Sequence, residues 1–432
     1  MQALLSRPLT WAFVVSAGLM GAVTALSYLG GFIDPMGNMR DMPLAVANED
    51  RGITVNGATV NLGDQLVQTL IGPDRPLGTA FKWTVLSSRE EVLAGLAKDK
   101  YYAALVIPAD YSQRLVAMSS PTALESAPPA QLEALTNPAS GSIAGTEAQA
   151  AVLGVVTQTS KKVQDQALAA ARAANASLSP AAVAVLSDPV RATLTVAQPV
   201  GSRSARGLAP FYFAVVITIA GFIGANVIDR GALLVTGREE FDVLHLTLAS
   251  PLASLSRRSQ WLFRFILVIP MSVLVAALVT VTAVPVLGMD TPNAWTLGGF
   301  ALLGVLASAL VTLFFITALG TPGVLAGVLF TTILGVPSAG GVYPPEMLPG
   351  FFQFLGAWLP LHYMTDGTRA LMFFDGRGSA GLNAAIGVLL GYVAISAQAG
   401  WTTATLVDRA RRMRGAQAGT ALPSPSIPRQ AP

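Results

Sequence analysis

Residues 297–319 read LGGFALLGVLASALVTLFFITAL, an apolar run without one charged side chain. At about 1.5 Å of helical rise per residue, such a run is long enough to cross a bilayer core of roughly 30 Å. Residues 9–28, 209–228, 324–343 and 382–401 carry runs of the same kind. Residues 261–287 add another, with Arg264 near its start, where a long side chain is expected to reach the interface. Of the 432 residues, 52% are hydrophobic and only 12% are charged, about half the charged share of a soluble domain. The sequence therefore reads as an α-helical integral membrane protein with six transmembrane helices and an α/β extracytoplasmic domain inserted after the first.

The basic residues orient this scheme. Arg7 precedes the first run, Arg230, Arg238, Arg257 and Arg258 lie between the second and third, and Arg409, Arg411, Arg412 and Arg414 follow the last. The connection 288–296 has no Lys or Arg. By the positive-inside rule the N-terminus, the loop 229–260 and the C-terminus are cytoplasmic, in a multi-pass protein of the plasma membrane. A net charge of +3 thus points to topology rather than to nucleic acid. The first run is too long for a signal peptide and no small-residue cleavage site follows it, so residues 1–28 read as an anchor. Cysteine is absent, which excludes disulfides and thiol chemistry. The excess of Arg over Lys, with abundant Ala and Gly, points to a high-GC bacterial genome.

Residues 29–208 form the expected extracytoplasmic domain. Strands are expected at 44–47, 81–86 and 101–107, helices at 61–71 and from Ser88 to about Lys98. Asn61 is a candidate N-cap, and Ser88 three residues before Glu91 has capping-box spacing. A further strand is expected at 131–136, a long helix projecting from the sheet at 142–176, and a returning strand at 190–200. Residues 209–407 form the membrane domain, and 408–432 a basic tail that is disordered beyond Arg414.

Motifs of catalysis are missing: there is no GxxxxGK[ST], HExxH or GxSxG. Gly376, Gly378 and Gly381 match GxGxxG but follow no strand, so a turn is the better reading. His245 and His362 lie on opposite faces of the membrane and cannot share a metal. Asn48, Glu49 and Asp50 before Gly52 have ligand chemistry for a hard cation; without a second acidic cluster, a solvated turn is expected. The GxxxG pairs Gly323/Gly327 and Gly387/Gly391 permit close helix packing. The span centres carry no ionisable group, so any uphill transport must draw energy from a partner. No enzyme activity, cofactor or metal is expected in this chain.

Three stretches together, PLAVANEDRG at 43–52, Asn61-Leu62-Gly63, and YYAALVIPADYS at 101–112, including Tyr101 and Tyr102, resemble the outer domain of the phage infection protein (Pip, YhgE) family. The C-terminal half is similar to the membrane domain of type 2 ABC exporter permeases. REEFDVLHLTLASP at 238–251 looks like their cytoplasmic coupling-helix loop, and LPGFFQFLGAWLPLHYMTDGTRALM at 348–372 like their outer re-entrant segment. The match covers roughly two-thirds of the chain and leaves 119–204 unmatched. It implies a permease-like export subunit, as a homodimer or heterodimer in the bilayer, with ATP hydrolysis in a separate ATPase subunit. The alternative is a non-transporting surface receptor or a scaffold of a secretion complex. Under the first reading Glu239, Glu240, Phe241, Leu244, His245 and Leu248 form an amphipathic coupling helix. Pro349, Phe352, Pro360, Tyr363 and Arg369 mark an outer re-entrant segment within 340–378, whose prolines break it into pieces too short to span. Phe351, Phe352, Phe354 and Trp358 are expected to give it an interfacial apolar face.

Overall fold

The computed structural model describes residues 8–55, 57–73, 77–118, 128–173, 175, 177–235, 241–243, 246–248 and 256–419. Helix α1 (Pro8–Phe32) runs past the expected boundary at residue 28, because Leu29 to Phe32 offer no break before Asp34 caps the short α2 (Pro35–Asn38). The chain then enters the outer domain through β1 (Met42–Asn48), the hairpin β2 (Ile53–Val55) and β3 (Ala58–Val60), α3 (Leu62–Ile71), β4 (Phe81–Leu86) and α4 (Arg89–Leu96). It continues with β5 (Ala103–Ile107), α5 (Tyr111–Ala117), β6 (Ala130–Thr136), α6 (Ser142–Ala173), α7 (Pro180–Leu186) and β7 (Val190–Val196).

Five strands form one mixed sheet in the order β4-β1-β5-β6-β7. β1 is parallel to both β4 and β5, β6 is antiparallel to β5, and β7 is parallel to β6. Alternation of side chains divides β1 and β5 between two layers. Leu44, Val46, Leu105 and Ile107 join α3, α5 and α6 on one face, while Ala45, Ala47, Ala104 and Val106 meet Val92 and Leu96 of α4 on the other. Both faces are covered, which explains why these strands read as continuous apolar runs rather than alternating ones. The caps are those expected: the Asn61 side chain accepts from Asp64 N, and Ser88 accepts from Glu91 N. The return arm of the capping box is displaced, since Glu91 accepts from Ser87 rather than Ser88.

Helix α6 departs from expectation. Its first half does not project but lies on the sheet, burying Ala144, Ala148, Ala151, Val152, Val155 and Val156. Small residues at helical spacing let the backbone approach closely, and their low hydrophobicity concealed the stripe.

The membrane domain comprises α8 (Ala209–Val235), α9 (Arg257–Val281), α10 (Ala294–Leu319), α11 (Pro322–Val328), α12 (Gly335–Ser338), α13 (Gly350–Gly356), α14 (Pro360–Phe373) and α15 (Leu382–Gly419). Among the described residues five helices are long and apolar enough to cross a membrane: Val14–Phe32, Ala209–Val235, Arg257–Val286, Ala294–Leu319 and Leu382–Ala410. The sixth expected span, 324–343, is not a continuous helix of that length. A shorter apolar stretch, Pro322–Ser338, returns the chain instead, interrupted by a π-helical turn at Leu329–Ile333. Pro337 lacks a backbone donor and Gly340 has φ of +68°, so the helix ends well before Tyr343. Helix α10 is central and packs on α8, α9 and α15. Gly221 of α8 lies so close to α10 that a Cβ there would stand 2.6 Å from the Val305 carbonyl. Gly323 packs equally tightly against Phe315, whereas Gly387 and Gly391 have no atom near an added Cβ, so only the first GxxxG pair packs inside the bundle.

Helix α15 continues through Arg414 to Gly419, so the expected disordered tail is helical for its first part. Arg264 does not reach outward as expected. It is buried, and its guanidinium stands 2.6 Å from the buried Asp229 carboxylate of α8. A charge this deep is paired across two helices because solvation by lipid is so poor.

Candidate functional site

The three stretches behind the sequence resemblance meet at one end of the sheet. Asp50, just past β1, is 8% exposed and is no solvated turn. Its Oδ1 accepts from Gly52 N at 3.2 Å and Ser112 N at 3.1 Å. Its Oδ2 accepts from Gly63 N at 3.1 Å and from the Ser112 hydroxyl. That hydroxyl in turn accepts from Leu62 N at 2.8 Å. The carboxylate therefore ties the start of α3 to the start of α5, with the helix N-terminus favouring its charge. Asn48 adds a second layer, accepting from Asp50 N and donating to Asp64 Oδ1 at 2.7 Å. Gly52 adopts φ of +66° against the Val60 carbonyl, a conformation open to Gly without strain. Glu49 caps α4, accepting from Arg89 N at 2.8 Å. With its lone pairs occupied by backbone donors, Asp50 is a bracket rather than a cation ligand; no metal-binding cluster occurs among the described residues.

At the opposite end of the sheet the outer domain is joined to the bundle. Tyr101 packs its ring against Gly95, while Tyr102 turns toward the membrane domain and donates to Glu346 Oε2 at 3.1 Å. Arg369, buried on α14, donates to Asp366 Oδ1 at 3.1 Å and to the Gly340 carbonyl at 3.1 Å. Asp366 also faces His362 Nε2 at 3.4 Å. Asp99 completes the cluster from the outer domain. Burial pushes its carboxyl above the ordinary range, against the pull of Arg369. Burial likewise raises Glu346, and lifts the Tyr102 phenol well above its usual value. Apolar contacts frame the charges: Ala139 packs with Ala370, Phe374 and Ala380, and Met347 is buried within the core of the outer domain.

The segment expected to be re-entrant is broken into a 3-10 turn at Pro345–Met347, α13 and α14. Pro349 precedes α13 and Pro360 opens α14, where a missing N–H costs nothing. Tyr363 donates to the Ala357 carbonyl at 2.8 Å. Phe351, Phe354 and Trp358 are exposed. Phe352 is not part of that face; it is buried against Gly31 of α1, being on the opposite side of α13.

Among the described residues of the loop no helix stands where the coupling helix is expected. Phe241–Val243 and Leu246–Leu248 are two short antiparallel strands, with Phe241 opposite Leu248. The alternation Phe-Asp-Val and Leu-Thr-Leu competes with the helical spacing, and β-branched Val243 and Thr247 favour the strand. Glu239, Glu240, Leu244 and His245 lie outside the described residues.

A family model described as "Protein of unknown function (DUF3533)" matches residues 18–398. The chain belongs to that family. It is also 29% identical over 140 residues to "Uncharacterized protein YhgE" of Bacillus subtilis (strain 168), across 32% of this chain and 17% of that protein. The chain is thus a distant homologue of the YhgE/Pip family, while the matched part spans less than a fifth of that relative. No solved structure matches the chain.

Sequence reading missed Asp366 as the partner of Arg369, Tyr102 as the partner of Glu346, Asp99 in the same junction, and Asp229 as the partner of Arg264. The one available signal was the rarity of charge: Glu346 stands alone within the apolar and proline-rich stretch 340–364, and Asp229 and Arg264 flank long apolar runs.

Proposed function

We propose that the protein is a non-transporting cell-surface recognition protein, a receptor or a scaffold for a secretion complex, whose outer α/β domain is displayed on a membrane bundle acting as its anchor. The observation that carries this reading is the junction. Tyr102 of the outer domain donates to Glu346 in a half-buried polar cluster that includes Asp99 and the buried Arg369, framed by Ala139 and Phe374. Such a joint holds a displayed domain in a fixed orientation, and opening it would uncover charges without partners. The tight approach of α8 to α10 at Gly221 supports a packed anchor. In this reading both termini are cytoplasmic and the α13–α14 segment rests at the outer membrane surface, with Phe351, Phe354 and Trp358 toward lipid.

A permease working with a separate ATPase is the competing reading, and the strand pairing of the few described loop residues, 241–243 with 246–248, lends it no support. The absence of native cysteine makes a direct test available. Thr157→Cys, exposed on α6, and Ser256→Cys, at the other end of the bundle, are crosslinked in intact bacteria with impermeant and permeant thiol reagents. Display predicts a specific outer-face partner at position 157 and no ATPase at 256. An ATPase captured at 256, with nothing captured at 157, overturns the proposal.

A further inference from the structure

Between α3, α5 and the second half of α6 lies an open groove of about 460 Å³. Its walls include Leu66 and Leu70 of α3, Leu115 of α5, and Val155, Val163 and Ala167 of α6. Lys162 is the one charged side chain among its described lining residues, with Gln158 and Gln166 one turn to either side. Along α6 the lining runs from Val155 to Ala170, about 22 Å at the helical rise. Volume over length, with the radius of a water molecule of about 1.4 Å added on each side, leaves the trough about 8 Å wide between its walls, narrower than the 10–12 Å that a helix with its side chains requires. An extended peptide fits no better. The walls are helices whose backbone groups are already paired, so they offer no sheet edge to satisfy a strand.

What suits a narrow apolar trough without backbone partners is a flexible hydrocarbon chain. The ammonium of Lys162, flanked by amide donors, then selects an anionic head. We propose that this groove binds a single acyl chain carrying a carboxylate or phosphate head, with the chain along Leu66 and Val163 and the head at Lys162. A mostly apolar lining with few polar groups at fixed positions is the usual constitution of a small-ligand site. The inference deepens the display reading by giving the outer domain a ligand class.

The test uses the full-length chain in nanodiscs, illuminated with diazirine-bearing palmitate or diazirine-bearing lysophosphatidic acid, followed by peptide mapping of the adducts. Adducts are expected on 62–70 and 155–170 with at least one probe, which also decides between carboxylate and phosphate. Ala167→Trp, or Leu66→Trp from the opposite wall, is expected to reduce them at least tenfold while adducts on α8 to α10 persist as the folding control. Lys162→Glu is expected to weaken groove labelling at least fivefold for the anionic probe and to leave the uncharged palmitate methyl ester unaffected. Adducts confined to the membrane helices, or groove labelling undiminished in both tryptophan variants, overturn the acyl-chain assignment; equal labelling of Lys162→Glu by the anionic probe overturns the anionic head. Crosslinking at Thr157 is read separately, so loss of this inference leaves the display reading standing.

Discussion

Asp50→Ala is the sharpest test of how the outer domain is held together. The substitution removes the acceptor of Gly52 N, Gly63 N, Ser112 N and the Ser112 hydroxyl at once. The hydroxyl can rotate to another partner, and Gly52 is near enough to the surface to find water. Gly63 N and Ser112 N are buried and cannot. A buried donor stranded in this way costs about 1–3 kcal/mol, and hydrogen bonds to a charged acceptor lie toward the upper end. The expected loss is therefore about 3–5 kcal/mol, a large part of the roughly 5–15 kcal/mol that stabilises a domain. Amide hydrogen exchange on the full-length chain in nanodiscs reads this directly. Each 1.4 kcal/mol corresponds to about tenfold faster opening, so exchange at 61–67 and 111–116 is expected to accelerate by roughly two to three and a half orders of magnitude. Helix α10 should be unchanged. Asp50→Asn keeps one acceptor oxygen and should fall between the two. Acceleration of less than threefold in Asp50→Ala would mean that the bracket is not what fixes α3 and α5.

Arg369→Met leaves Asp366 without its cation and the Gly340 carbonyl without its donor and is expected to destabilise the junction by about 1–3 kcal/mol, measured as a lowered thermal midpoint; Arg369→Lys should recover only part, because it loses the fork between Asp366 and the Gly340 carbonyl. The carboxyls of Asp99 and Glu346 are raised, so their contribution is fully present below the ordinary carboxylate range of about 4 and is lost as pH rises through the raised values. Exchange at 99–102 and 343–347, corrected for its intrinsic rate, should therefore quicken with rising pH across that window, and a pH-independent result would refute the assignment. Met347→Ala empties a fully buried position in the core of the outer domain and should cost about 2–5 kcal/mol, seen as greater protease sensitivity of that domain. Thr157→Cys and Ser379→Cys should react with an impermeant thiol reagent on intact cells, and Ser256→Cys only after permeabilisation; labelling at 256 from outside would reverse the topology.

The long spans were legible because hydrocarbon imposes one requirement, a sufficient length of apolar helix, and runs such as 297–319 satisfy it without reference to anything else. The same criterion overran the helical length at 324–343, where the apolar helix is Pro322–Ser338. It counts apolar length, while Pro337 and Gly340 act on the backbone and end the helix early. The caps at Asn61 and Ser88 were legible because each depends on groups three residues away. Asp50 was not, since its partners Gly63 and Ser112 are distant in sequence and a carboxylate beside glycine looks like any solvated turn. The junction was less accessible still: Tyr102 and Glu346 are 244 residues apart, and no local pattern records that Arg369 reaches back to the Gly340 carbonyl. In the loop 238–251 helical and strand periodicities coexist, so the spacing Phe241, Leu244, Leu248 does not by itself decide between them.

These placements bear on where recognition should be sought. The residues that carry the family resemblance, Asn48 to Gly52, Asn61 to Gly63 and Tyr101 to Ser112, are largely occupied with one another. Asp50 spends its lone pairs on backbone amides, Asn48 and Asn61 hold helix α3, and Tyr102 is committed to Glu346. Side chains with such internal duties have little capacity left for a ligand, and substituting them would damage the domain before it altered selectivity. The groove wall on α6 differs: Lys162 and Gln166 are exposed and belong to the stretch 119–204 that carried no resemblance. A bracket that fixes α3 and α5 at one end, with α6 laid on the same sheet, sets the width of the groove between them. Lys162→Glu should therefore change what is bound without changing the fold, whereas Asp50→Ala should change the fold and lose binding as a consequence.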